Sequence, residues 1–195
     1  MKLTDEQKTF VLSHLRRPEN DLAISNIVEE IALEANKSGL DIDSDYAQST
    51  ALLMNIGETH PDISYIYASD YSWKDHPEAK QLNARHGEYS VQMALDKGIS
   101  LTEEQKQIIS GHSQNIYPND LALIIKSAEI CRATESPRWS RGTRKDPAKS
   151  WSEVSSILDE EGISSKLIQI VANSYGKLRF NKNVEITQDS SELEH

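Results

Sequence analysis

Three times this chain sets Ser or Thr three residues ahead of Glu or Gln at the head of an apolar stretch: Thr4-Asp5-Glu6-Gln7, Thr102-Glu103-Glu104-Gln105 and Ser150-Trp151-Ser152-Glu153. Each is a reciprocal capping box, in which the two side chains satisfy backbone N–H groups that a helix start leaves free. The stretches behind the boxes, and those between them, repeat their apolar residues at three and four. After Thr4 come Phe10, Val11 and Leu15, stopped at Pro18. From about Asn20 to Asn36 run Leu22, Ile24, Ile27, Val28, Ile31 and Ala32. A third helix carries Ala47, Ala51, Leu52, Leu53 and Ile56, and a fourth spans about Arg85 to Lys97, ended by Gly98. Leu121, Leu123, Ile124, Ile125, Ala128, Ile130 and Cys131 predict a helix buried nearly all round. A last helix bears Leu167, Ile168, Ile170 and Val171. The fold class is therefore all-α, a single-domain bundle of about 7–9 helices over residues 1–176. Residues 177–195 read as a polar tail whose Leu193-Glu194-His195 end resembles a tag remnant.

The 195 residues suffice for one domain that folds without disulfides. The single cysteine, Cys131, excludes a disulfide framework and a cysteine-rich zinc site, and it reads as a core residue. A net charge of -10 argues against a nucleic acid polymer as partner. No apolar run reaches the roughly 20 residues of a membrane span, and the polar N-terminus does not read as a signal peptide, so a cytoplasmic location without membrane attachment is expected. One segment departs from the acidic average: Arg138, Arg141, Arg144, Lys145 and Lys149 have Asp146 as their only acid. Residues 57–83 are the least regular, with Pro61, Pro77, several tyrosines, Trp73, His60 and His76; the aromatics are expected to cover the core.

Five short segments then line up in order: Leu52-Leu53-Met54-Asn55-Ile56-Gly57-Glu58, Arg85-His86-Gly87-Glu88, Gly111-His112-Ser113 with Tyr117-Pro118, Ala128-Glu129, and Arg138-Trp139-Ser140-Arg141. In that order they resemble the HD superfamily of metal-dependent phosphohydrolases, and most closely its HD-GYP branch. The likeness covers about residues 20 to 175. It implies a helical domain whose histidines and aspartates hold divalent metals and a bridging hydroxide. It also marks where ligands are gone. The first ligand histidine falls on Ala23 or Asn20, the His-Asp pair on Met54 and Asn55, and the first of a double histidine on Gly111. His86 and His112 match family histidines, Glu129 takes the place of an aspartate, and Ile116 stands at the glycine before Tyr117-Pro118.

Met54 is a poor ligand for such metals, and Asn55 lacks the charge that balances a divalent cation. The resemblance thus implies a degenerate signalling module with an incomplete metal site and no catalytic residue. It would bind a protein partner or a small nucleotide such as cyclic di-GMP. Arg138 and Arg141 would meet phosphate, with Tyr117 and Trp139 stacking on a base or an arginine. No cofactor is expected, beyond a weakly bound Zn, Mn or Fe held by His86, His112 and Glu129. The alternative is a metal-dependent phosphohydrolase or phosphodiesterase with a rearranged site that also uses Glu58 and His60. Against ligation, His86 and His112 read as half-buried histidines, and Glu129 as half of a buried pair with Arg138 or Arg141. His14, His60 and His76 are expected at the surface.

Overall fold

The computed structural model describes residues 2–68, 71, 76–134, 138–139, 145–146 and 149–176. Among these, nine α-helices succeed one another: α1 (Asp5–Ser13), α2 (Pro18–Lys37), α3 (Ser44–Leu53), α4 (Ala79–Asn83), α5 (His86–Asp96), α6 (Glu103–His112), α7 (Asp120–Thr134), α8 (Trp151–Glu160) and α9 (Ser165–Val171). All three capping boxes form as expected, at the heads of α1, α6 and α8. Pro18 does more than stop α1, because it is the first residue of α2, where its missing N–H has no partner to lose.

The bundle is a single all-α domain built around α2, which packs against α3 and α7. Val28, Ile31 and Ala35 of α2 meet Leu53, Ile124, Ile125 and Cys131 in one core, with Val171 and Tyr175 closing it from the C-terminal end. α7 is buried through Leu121, Ile124, Ile125, Ala128 and Cys131, so the cysteine is a packing residue. The irregular stretch is organised by two 3₁₀ turns, Ile56–Thr59 and Ser64–Tyr67, before α4 begins. Its first turn lies against α5, which in turn packs on α6. Ile56 is buried, one turn past the end of the helix assigned to it. A two-residue antiparallel pairing, Arg138 with Asp146 and Trp139 with Lys145, forms strands β1 and β2 in the basic segment and leaves the class all-α. Trp73, Arg141, Arg144 and the tail 177–195 lie outside the described residues.

One expected core position is exchanged for its neighbour. Leu22 turns outward at 37% exposure, while Asp21 points inward at 3%. Asp21, Ile24, Val28, Ile31 and Ala35 form an unbroken three-four series along the buried face of α2. A carboxylate thus occupies the first core position of the most central helix. Among the described residues, no helix is long and apolar enough to cross a membrane.

Candidate functional site

Two close backbone approaches assemble the site. Ser90 of α5 donates its hydroxyl to Met54 O at 2.6 Å and accepts the Gly57 N–H at 2.8 Å. A Cβ on Gly57 would lie 2.0 Å from His86 O, and one on Gly87 would lie 2.3 Å from Ile109 O. Glycine at 57 lets the 3₁₀ turn touch α5, and glycine at 87 lets α5 touch α6. The result brings His86, at the start of α5, against His112, at the end of α6.

The two imidazoles meet through their Nε2 atoms at 2.8 Å, with the rings edge to face. Each Nδ1 is 2.6 Å from a carbonyl, His86 from Asn83 O and His112 from Ile109 O. A carbonyl only accepts, so both Nδ1 atoms carry the hydrogen and both Nε2 lone pairs converge. A hydrogen bond between them therefore needs one shared proton. Burial opposes that proton. It lowers His86, and together with the His86 charge it pushes His112 down to about 3.

From the pair the network runs to Asn55 and Asp21. Asn55 Oδ1 lies 3.3 Å from His112 Nε2, and Asn55 Nδ2 donates to Asp21 Oδ1 at 2.9 Å. Asp21 Oδ2 is buried without a hydrogen-bond partner. Burial raises the Asp21 carboxyl above its ordinary range, against the Asn55 hydrogen bond and the Arg17 charge, which lower it. Glu129 of α7 feels the Asp21 charge. Burial first, and then Asp21, push it up to about 7, against Arg17 and Lys126. Glu58 is buried in the turn after Asn55, with Arg16 Nε at 3.0 Å and Arg17 Nη2 at 3.8 Å.

The expected ligand positions do not converge on one point. His86 and His112 come together; Glu129 is tied to Asp21 by charge and has no bond to the histidines. Met54 is 1% exposed and belongs to the apolar core. Asn20 and Ala23 lie one residue before and two residues after the residue that does enter the site, Asp21; Asn20 accepts from Arg132 Nε at 3.3 Å. Gly111 and Ile116, the two departures around Tyr117-Pro118, touch each other: a Cβ at 111 would lie 2.9 Å from Ile116 O, whose own N–H donates to Gly111 O at 2.9 Å. A bulkier side chain at 111 requires that turn to move. His60 is half-buried and stacks on Tyr89 at 4.1 Å, a correction to its expected surface place.

The face of Tyr117 is covered by Lys126, whose ammonium stands 4.6 Å from the ring centre. Burial and the charges of Glu129 and Glu161 push the Tyr117 hydroxyl up to about 12. Among the described residues, the charges of Arg17 and Lys126 act on Glu129; its expected pairing with Arg138 or Arg141 falls on side chains outside the described part. Arg141 and the side chains of Arg138 and Trp139 lie outside the described part.

A divalent site of the implied kind needs several anionic or imidazole donors around one point. Among the described residues, no group of three His, Cys, Asp or Glu side chains is arranged to hold a metal. The donors that remain do not surround one point: the lone pairs of His86 and His112 face each other, and the Asn55 amide stands between His112 and Asp21. The donor set therefore does not fit the metal centre that the resemblance implies.

Asp21 is the candidate-site residue that the sequence pattern did not single out. Its signal was an acid in register with the apolar face of a long helix, one place from a leucine that fits that face less well. Comparison with protein-family models, curated proteins and solved structures gives no match.

Proposed function

We propose that this chain is a degenerate HD-GYP-like module that signals by binding and does not hydrolyse phosphodiesters. The carrying observation is the position of Asn55. It stands where the family has its bridging aspartate; its amide nitrogen donates to Asp21 Oδ1, and its oxygen faces His112 Nε2 at 3.3 Å. An amide in that role supplies no negative charge to a metal pair. Met54, at the adjoining histidine position, is packed into the core. The net charge of -10 supports a protein or small-molecule partner over a nucleic acid polymer, and a single buried cysteine is compatible with a cytoplasmic setting.

Elemental analysis of the tag-free chain for Fe, Mn and Zn is the direct test. The expected result is far less than one metal per chain, with phosphodiester hydrolysis at background in added Mn²⁺. Stoichiometric metal that disappears in the His86→Ala/His112→Ala variant would overturn the reading in favour of a rearranged phosphohydrolase. For the nature of the partner, calorimetry with cyclic di-GMP separates the two cases. Heat that is lost in Arg138→Ala/Arg141→Ala marks a nucleotide module, and no heat from the unmodified chain leaves a protein partner.

A further inference from the structure

A cleft of about 400 Å³ opens between the head of α2 and the last turn of α7, lined by Arg17, Pro18, Glu19, Asn20 and Arg132. That volume suits a small molecule and exceeds the needs of a bare ion. Arg132 stands in the last turn of α7, one turn beyond Glu129, and its Nε donates to Asn20 Oδ1 at 3.3 Å. The bond joins the two helices across the cleft and fixes both side chains. It also turns the Asn20 oxygen to Arg132, so the Asn20 group left for a ligand is the Nδ2 amide, which only donates.

Arg17 faces the same cleft from the link before α2. Glu58 takes its short bond from Arg16 Nε at 3.0 Å, while Arg17 Nη2 lies 3.8 Å from Glu58 Oε1, beyond hydrogen-bond distance. Among the described residues, neither the Arg17 guanidinium nor Asn20 Nδ2 makes a hydrogen bond. Pro18 has no N–H to offer, so the donors of the cleft are side chains. Glu19 is the one acid in this lining, and it is exposed. Two guanidinium groups and an amide, carried by two different elements, therefore present N–H donors to one space. Such a lining calls for a ligand rich in acceptors and negatively charged.

We propose that this cleft binds the phosphoryl group of a small phosphate ester through Arg17, Asn20 and Arg132. A phosphoryl group offers three terminal oxygens to the three donor groups, whereas a carboxylate offers two. The remaining volume takes the organic part of the ester. The inference rests on reading this face of the protein as a binding surface, and it adds the chemistry of the ligand and the side chains that hold it.

The test is a titration of the full nitrogen-labelled chain followed by NMR at the arginine Nε–Hε signals. The probes are phenyl phosphate, inorganic phosphate, acetate and chloride at matched ionic strength. Phenyl phosphate is expected to shift the Arg17 and Arg132 signals saturably and to bind more tightly than inorganic phosphate, with acetate and chloride leaving them in place. Inorganic phosphate binding as tightly as the ester would overturn the ester in favour of a free ion. Arg132→Ala, read at Arg17, is expected to weaken phenyl phosphate about tenfold or more, and Arg85→Ala, outside the cleft, to leave it unchanged. No saturable shift, an equal response to acetate, or equal affinities in Arg132→Ala and the unmodified chain would overturn the proposal. Should Arg132→Ala fail to fold, Glu19→Gln decides: removing the acid of the lining is expected to tighten phenyl phosphate about threefold, a gain that a damaged fold does not produce. Unchanged or weaker affinity in that variant sinks the idea. Stoichiometric metal in the unmodified chain would instead overturn the binding-module reading, whereas a metal-free chain that ignores phenyl phosphate overturns the cleft alone.

Discussion

Alanine at Gly57 or Gly87 is expected to cost at least about 3 kcal/mol of stability, or to prevent folding altogether. At Gly57 the added methyl would meet His86 O at 2.0 Å and Ser90 N at 2.6 Å; at Gly87 it would meet Ile109 O at 2.3 Å and Ser110 O at 2.9 Å. All four are backbone atoms, so no rotamer change relieves the overlap. Relief requires α5 to move off the 3₁₀ turn in one case and off α6 in the other. Either movement also breaks the site, since the Nε2 contact between His86 and His112 spans the α5–α6 seam. Urea unfolding measures the loss through the midpoint at constant slope. Gly39→Ala serves as the comparison: its Cβ meets nothing within 4 Å, and the strain of its positive φ costs only about 1 kcal/mol. Equal losses at 39 and 57 would show that the seam is looser than these distances state.

These glycines also show how far the sequence can be read. The helix starts were legible because capping is local: Thr4, Thr102 and Ser150 each carry their partner three residues on. His86 and His112 were legible as candidates because each stands in a short motif. Their contact was not, since it depends on two glycines that act by what they lack. Asp21 was hidden by its neighbour Leu22, the better match to an apolar pattern. What turned the helix by one position is chemical: Asp21 has a hydrogen-bond donor in Asn55, thirty-four residues away, and no local pattern records such a partner. The exchange at Gly111 and Ile116 is of the same kind. The two residues are five apart in sequence, and in the fold a Cβ at 111 would lie 2.9 Å from Ile116 O. Arg16 and Arg17 stand in no motif, and their partner, Glu58, comes from the far side of α3.

Glu129→Gln is expected to stabilise the protein at pH 8 by up to about 3 kcal/mol and to change it little at pH 4.5. The folded carboxyl titrates at about 7 against an ordinary 4.5, because burial and the Asp21 charge disfavour its ionised form. Between those two values the folded state binds more protons than the unfolded one. Stability from this group is therefore complete below pH 4.5 and is lost as the pH rises through 7. Glutamine keeps the shape and the hydrogen-bonding edge and removes the loss. The histidine pair runs the other way. His112 is depressed to about 3 from 6.5, so over that range the unfolded state binds more protons, and stability falls as the pH drops below 6.5. His86, lowered by burial, adds to the same direction. In the unmodified chain the two slopes oppose each other from about pH 4.5 to 6.5, and unfolding free energy is expected to be flat there. In Glu129→Gln the histidine slope is opposed only by the raised carboxyl of Asp21, so stability should climb with pH toward 6.5 more than in the unmodified chain and stay high above 7. Chemical denaturation at pH 4.5, 6, 7 and 8 reads the difference directly. A constant offset between the two proteins at all four pH values would mean that Glu129 is ionised throughout, and that the positive charge reaching it from Arg17 and Lys126 outweighs its burial.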